Sequence, residues 1–130
     1  DAYEWSKGYS VSGTDQKAVR EIHANAKGDE YVVLSNQSVS AAAVQAYGFP
    51  TRYAIPTSGR LYQLYSDMVY IKPAAQTMFE AMDVAHVNLA YFVMNNYWTN
   101  ASKIIEAAKR EAKTWWEVDE GKVTVFKYTK

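Results

Sequence analysis

Short continuous apolar runs alternate along this chain with longer stretches whose apolar residues recur every three or four positions. The short runs read as buried strands and the longer stretches as amphipathic helices. In the first such stretch Val19, Ile22, His23 and Ala26 share one helical face. Thr14 is placed to cap that helix, Asp15 suits its positive end, and Gly28 suits its stop. The β-branched run Tyr31-Val32-Val33-Leu34-Ser35 predicts a buried strand. Asn36 and Gln37 form a polar turn, and Ser38 or Ser40 caps a short Ala-rich helix ending near Tyr47-Gly48.

Residues 50–58 read as irregular, with a short strand around Arg52-Tyr53-Ala54. A helix is expected from about Ser58, with Leu61, Leu64, Tyr65, Met68 and Val69 in one stripe. Pro73 ends it and suits the first position of the next helix, whose apolar face holds Met78, Ala81, Met82 and Ala85. Leu89-Ala90-Tyr91-Phe92-Val93-Met94 is apolar throughout, as a strand covered on both faces should be. Asn95 through Asn100 reads as a polar, aromatic loop. In the helix after it, Ile104, Ile105, Ala108 and Ala112 point inward, and the charged face is solvated. At the end, Trp115-Trp116-Glu117-Val118 and Val123-Thr124-Val125-Phe126 flank Asp119-Glu120-Gly121-Lys122, a hairpin pattern. Trp115 and Trp116 then take opposite faces. Residues 1–13, with Tyr3, Trp5 and Tyr9, read as an extended leading segment that packs its rings on the body.

Strands separated by helices favour parallel pairing through crossovers. The expected fold is α/β: a three-layer α/β/α sandwich with a mixed sheet, parallel core strands and a C-terminal antiparallel hairpin. Residues 1–130 form a single domain in this reading, excised from a longer chain because the sequence opens at Asp1 without Met.

Composition narrows the partners. The 14 basic and 14 acidic residues balance, so the basic field that attracts nucleic acid is missing. Without cysteine there is neither a disulfide framework nor a thiolate metal site. His23 and His86 lie far apart among helical apolar residues and read as ordinary, partly buried histidines. No metal or cofactor is expected: the chain has no glycine-rich phosphate loop and no nucleophile elbow. Carboxylates such as Glu4, Asp67, Asp83, Asp119 and Glu120 show no spacing that pairs them for acid–base work, and the last two read as turn residues. The 11 tyrosines and 4 tryptophans read as a tyrosine-rich core and rim, or as a wet interface.

One constellation has geometric meaning. Ligands of parallel α/β sheets collect at the carboxyl ends of strands. Two predicted parallel strands end in Ser35-Asn36-Gln37-Ser38 and in Asn95-Asn96-Tyr97-Trp98. Side by side, they would bring amides, hydroxyls and aromatic rings to one edge, a mixture suited to sugars. The same residues also suit helix caps and loops. Asn36-Gln37-Ser38 and Asn100-Ala101-Ser102 match the N-glycosylation acceptor pattern as well.

Five segments carry a resemblance: Tyr3-Glu4-Trp5-Ser6 with Gly8-Tyr9, Tyr31-Val32-Val33-Leu34-Ser35-Asn36-Gln37, Ile55-Pro56-Thr57-Ser58-Gly59 with Leu61-Tyr62, Leu89-Ala90-Tyr91-Phe92-Val93, and Val123-Thr124-Val125-Phe126-Lys127-Tyr128. Their order resembles the C-terminal extracytoplasmic domain of prokaryotic multi-pass membrane proteins similar to the glycosyltransferase-C class. In that class the catalytic acid lies in a loop among membrane helices, so the resemblance carries over no catalytic residue. It implies an extracytoplasmic accessory role, attached to a membrane-spanning remainder, with glycan, lipid-linked sugar or that remainder as partner. A protein–protein interaction module, or a small stand-alone hydrolase or transferase using the carboxyl-edge loops, are the competing expectations.

Overall fold

A computed structural model describes residues 11–47 and 59–130. The first ten residues and the segment around Arg52-Tyr53-Ala54 lie outside the described residues. Helix α1 spans Gly13–Asn25, followed by strand β1 (Val32–Leu34) and helix α2 (Gln37–Tyr47). Helix α3 (Arg60–Ser66) runs on into a π-helical turn, Asp67–Ile71. Helix α4 (Ala75–Ala85), strand β2 (Leu89–Asn95), helix α5 (Ala101–Glu111) and strands β3 (Thr114–Val118) and β4 (Val123–Thr129) complete the order. The four strands form one mixed sheet, β1-β2-β4-β3. Only β1 and β2 pair in parallel, with Val33 opposite Tyr91. The expected parallel core is therefore a single pair, and β4 enters antiparallel beside β2, with Phe92 opposite Phe126.

Strand β2 is buried along its whole length. Its side chains alternate between two apolar clusters, as the two-residue period of a strand requires. Ala90, Phe92 and Met94 join residues of α3, α4 and α5, including Leu64, Met78 and Ile104. Leu89, Tyr91 and Val93 join residues of α1 and α2, including Val19, Ile22 and Ala42. The stripe Leu64, Tyr65, Met68 and Val69 is buried as its spacing predicts.

Several caps differ from the expected ones. Ser12 caps α1, not Thr14: Asp15 N–H donates to Ser12 Oγ at 3.1 Å, and Ser12 N–H donates back to Asp15 Oδ2 at 3.2 Å. This reciprocal box satisfies two amide donors that a helix start leaves open. Asn36, not Ser38 or Ser40, caps α2, because its Oδ1 accepts from Val39 N–H at 3.0 Å. Pro73 does end the preceding helix, yet α4 starts at Ala75 with Ala74 as its cap. Lys72 is extended there, as a residue before proline must be. Asn95 is the last residue of β2 and not part of the loop. His86 is exposed, not partly buried, and closes α4 in the left-handed conformation at φ 58°. Val87 N–H then reaches Met82 C=O, which satisfies a terminal carbonyl.

The hairpin turn is latched to α1. Asp119, Glu120 and Gly121 all have positive φ, at 50°, 57° and 88°. Asp119 accepts from Thr14 Oγ1 at 2.6 Å and from Lys17 Nζ at 2.5 Å. Both bonds favour the carboxylate and hold its pKa below the ordinary 3.8. A depressed carboxylate stabilises the fold fully above its unfolded pKa, and this contribution is lost as pH falls through the folded value. Asp119→Asn is expected to lower the melting temperature at neutral pH and to remove part of the acid destabilisation below about pH 4, the ordinary carboxylate range. Melting curves of both proteins from pH 7 to pH 2 check this. Parallel acid limbs would show that the latch contributes nothing.

Candidate functional site

Parallel pairing of β1 and β2 sends both chains out of the same sheet edge. Directly beyond β1 come Ser35 and the start of α2; directly beyond β2 come Tyr97 and Trp98. The two loops are joined by one bond, in which Asn36 Nδ2 donates to Tyr97 Oη at 2.7 Å. Asn36 is buried and its amide is used on both ends, since Oδ1 also accepts from Ser38 Oγ at 3.0 Å. Behind it, Ser35 Oγ and Ser40 Oγ share a buried hydrogen bond of 3.0 Å. These bonds fix the loop without help from a ligand.

In front of the joined loops lies a cavity of about 400 Å³. Ser35, Asn36, Gln37 and Ser38 line one side of it, and Tyr97 and Trp98 another. Asn95 and Asn96 do not reach it. Strand alternation turns Asn95 to the α1 side, where its amide nitrogen lies 3.5 Å from Asp15 Oδ1. The Asn96 amide N–H bonds Lys122 C=O at the hairpin, and its side chain is exposed.

The third wall was not marked by the loop pattern. It consists of Tyr62, Tyr65 and Tyr70 from α3 and its π-helical extension. Tyr65 meets Trp98 edge-on, with ring centroids 6.2 Å apart, and Tyr70 lies 5.9 Å from the same ring. The π turn is defined by Lys72 N–H bonding Asp67 C=O, five residues back. Such a turn advances less per residue than an α-helix, which brings Tyr70 back towards the face of Tyr62. A uniform 3.6-residue period places Tyr70 well off that face, so periodicity could not find it. The Tyr62–Tyr65 spacing of three, next to an apolar stripe, was the available signal.

Burial is the main cause that raises the Tyr65 pKa, and the nearby phenols Tyr97, Tyr70 and Tyr62 push it further. Its hydroxyl is therefore a neutral donor at any physiological pH. The described lining of the cavity holds no carboxylate, imidazole or amine. Its resources are aromatic faces, hydroxyls and amides.

A larger hollow, about 590 Å³, sits at the opposite, amino edge of β1 and β2. Asp29, Glu30, Lys27, Lys113 and Lys127 mix both charge signs around it, and its described lining includes no Phe, Tyr or Trp. His86 is there, whereas His23 is on α1, hydrogen-bonded to Tyr31 Oη at 2.8 Å. Among the described residues no group of three or more His, Asp or Glu is placed to hold a metal ion.

Asn36 is expected to be the structural keystone of the aromatic site. Asn36→Ala removes the α2 cap and the Tyr97 tether, and should cost about 1–2 kcal/mol of stability. Tyr97→Phe removes only the tether from a ring that is 69% exposed, and should cost less than about 0.5 kcal/mol. Chemical denaturation of the two variants separates these outcomes; equal costs would show that the cap is not where Asn36 acts. In comparisons with family models, curated proteins and solved structures, nothing matches this chain.

Proposed function

We propose that this chain is a non-catalytic accessory domain that contacts glycan through the cavity at the carboxyl edge of β1 and β2. The observation that carries this reading is the cavity's composition. Trp98 and the Tyr62, Tyr65 and Tyr70 rings supply stacking surfaces, while the phenol hydroxyls and the half-buried Gln37 amide supply hydrogen-bond partners. Sugars present an apolar ring face and a polar rim, and need both. At about 400 Å³ the cavity is in the lower part of the usual ~300–1,000 Å³ range for small-ligand sites.

Chemistry at a glycosidic bond or an acyl group calls for a positioned acid, base or nucleophile. The described lining offers hydroxyls and amides only, with no base in it to activate them. This supports binding over a stand-alone hydrolase or transferase. The fold itself is read as a three-layer α/β/α sandwich, supported by apolar clusters on both faces of the sheet. The wider setting is an extracytoplasmic position next to a membrane-spanning remainder of a glycosyltransferase-C-like protein. The segment order from Tyr31 to Tyr128 supports that setting. No helix among the described residues is long and apolar enough to cross a membrane.

A second reading, a protein–protein interaction module, is favoured by one observation. Tyr70 and Ile71 stand 72% and 76% exposed at the rim, more than solubility favours. The two readings part on ligand chemistry.

Calorimetric titration of the chain with a panel of neutral and acidic oligosaccharides is the test. Binding is expected, and Trp98→Ala should weaken it by about tenfold, the loss of roughly one aromatic contact of ~1.4 kcal/mol. Because Trp98 is partly buried against the α3–α5 cluster, the variant's melting temperature must be read alongside. A panel that yields no binding to the parent protein sinks the glycan reading.

A further inference from the structure

The aromatic cavity does not end at Tyr70. A second hollow of about 270 Å³ continues from that ring, along the outer face of the π turn to the start of α5. Tyr70 is a wall of both, so the two hollows adjoin across its ring and are taken together as one groove. The second part differs in charge. Lys72 and Lys103 line it, both exposed, and its described lining includes no carboxylate. Neither lysine forms an ion pair with any described residue, whereas Lys17, Lys109 and Lys130 all do.

The backbone adds to this field. Helices α2 and α5 both begin at the groove, because each follows a strand of the parallel pair. Neither has an acidic residue in its first turn. Asn100, at the start of α5, makes no side-chain capping bond. Two positive helix ends and two unpaired ammonium groups thus face one elongated groove whose described lining contains no negative group.

We infer that the groove takes an acidic oligosaccharide, with one unit against Trp98 and a carboxylate-bearing unit between Lys72 and Lys103. This rests on the glycan reading and narrows it in two ways. The ligand spans more than one sugar ring, since the divider at Tyr70 separates two places to lie. It carries negative charge at the α5 end, since the lysines there have no counter-charge among the described residues. An anionic membrane surface would also meet exposed lysine and tyrosine. The observations favour the glycan because the lysines line a recess beside the aromatic cavity, and the exposed apolar residues there, Tyr70 and Ile71, are two side chains and not an extended face.

The experiment is a titration of the chain with oligogalacturonate and with a neutral glucan of the same length, each as monomer and tetramer, at low and high salt. Phosphatidylglycerol vesicles are titrated in parallel. The acidic tetramer is expected to bind at least about tenfold more tightly than the neutral one at low salt, with the margin shrinking as salt rises. The double variant Lys72→Gln/Lys103→Gln should erase that margin by weakening the acidic tetramer. Both lysines are exposed, so the variant is expected to fold normally. Equal affinity for the two tetramers, or a margin that survives the double variant, overturns the acidic-ligand inference and leaves the glycan reading intact. No binding of either tetramer overturns both. Vesicle binding without oligosaccharide binding assigns the face to a membrane and likewise overturns both.

Discussion

The arrangement at the rim depends on the pairing of β1 with β2. Antiparallel neighbours would send the two following segments to opposite ends of the sheet. Parallel neighbours send both to one end, and each must then turn into a helix that runs back over a face. The turn after β1 becomes the Asn36 cap of α2, and the turn after β2 becomes Tyr97 and Trp98. One hydrogen bond, Asn36 to Tyr97, closes the gap between them. The cavity is thus a consequence of strand direction, and its polar wall is made from the groups that a helix start needs in any case.

That pairing is secured by the burial of β2. With β1 on one side and β4 on the other, the strand satisfies its backbone within the sheet while alternate side chains enter separate cores. Burying tyrosine in such a strand leaves a hydroxyl to satisfy, and an unsatisfied one costs about 1–3 kcal/mol. Tyr91 donates to Asn25 Oδ1 at 2.7 Å, and Tyr31 meets His23, so α1 serves as the polar lining of its own core. Tyr128, on β4, has a buried hydroxyl that bonds to no described residue. Most of the described tyrosines therefore divide by role. Tyr31, Tyr91 and Tyr128 belong to the cores; Tyr62, Tyr70 and Tyr97 belong to the rim; Tyr65 joins a core to the cavity wall.

What was legible in the sequence follows the same division. Continuous apolar runs mark β1 and β2, and the polar residues after them mark the carboxyl edge, so Ser35 through Ser38, Tyr97 and Trp98 could be named before any coordinates. Strand alternation carries one step further than the loop pattern, because it turns Asn95 away from the site and towards Asp15. The side of the cavity formed by α3 could not be read this way. Its position depends on a long helical crossover between β1 and β2, and its last ring on a π turn. A helical period counts residues at a constant angle, and a turn with one extra residue breaks the count without leaving a mark in the hydrophobic pattern. Caps were misplaced for a related reason. Ser12, Thr14, Asn36 and Ser38 are all competent capping residues, and the choice among them is made by where the first turn packs, which is a tertiary fact.

The division of labour at Asn36 bears on what kind of site this is. A side chain whose two amide ends are already engaged gives a ligand little directly, and its burial forbids rotation. The same holds for the Ser35–Ser40 pair behind it. The polar wall is therefore rigid before anything binds, and the groups presented outward are those with exposure to spare, chiefly the Tyr70 and Tyr97 rings. A rigid floor with aromatic edges loses little conformational entropy on binding, which favours affinity from a small contact area. The described lining of the cavity is made of aromatic rings, hydroxyls and amides. Such an arrangement fits the proposed role of holding a ligand in place.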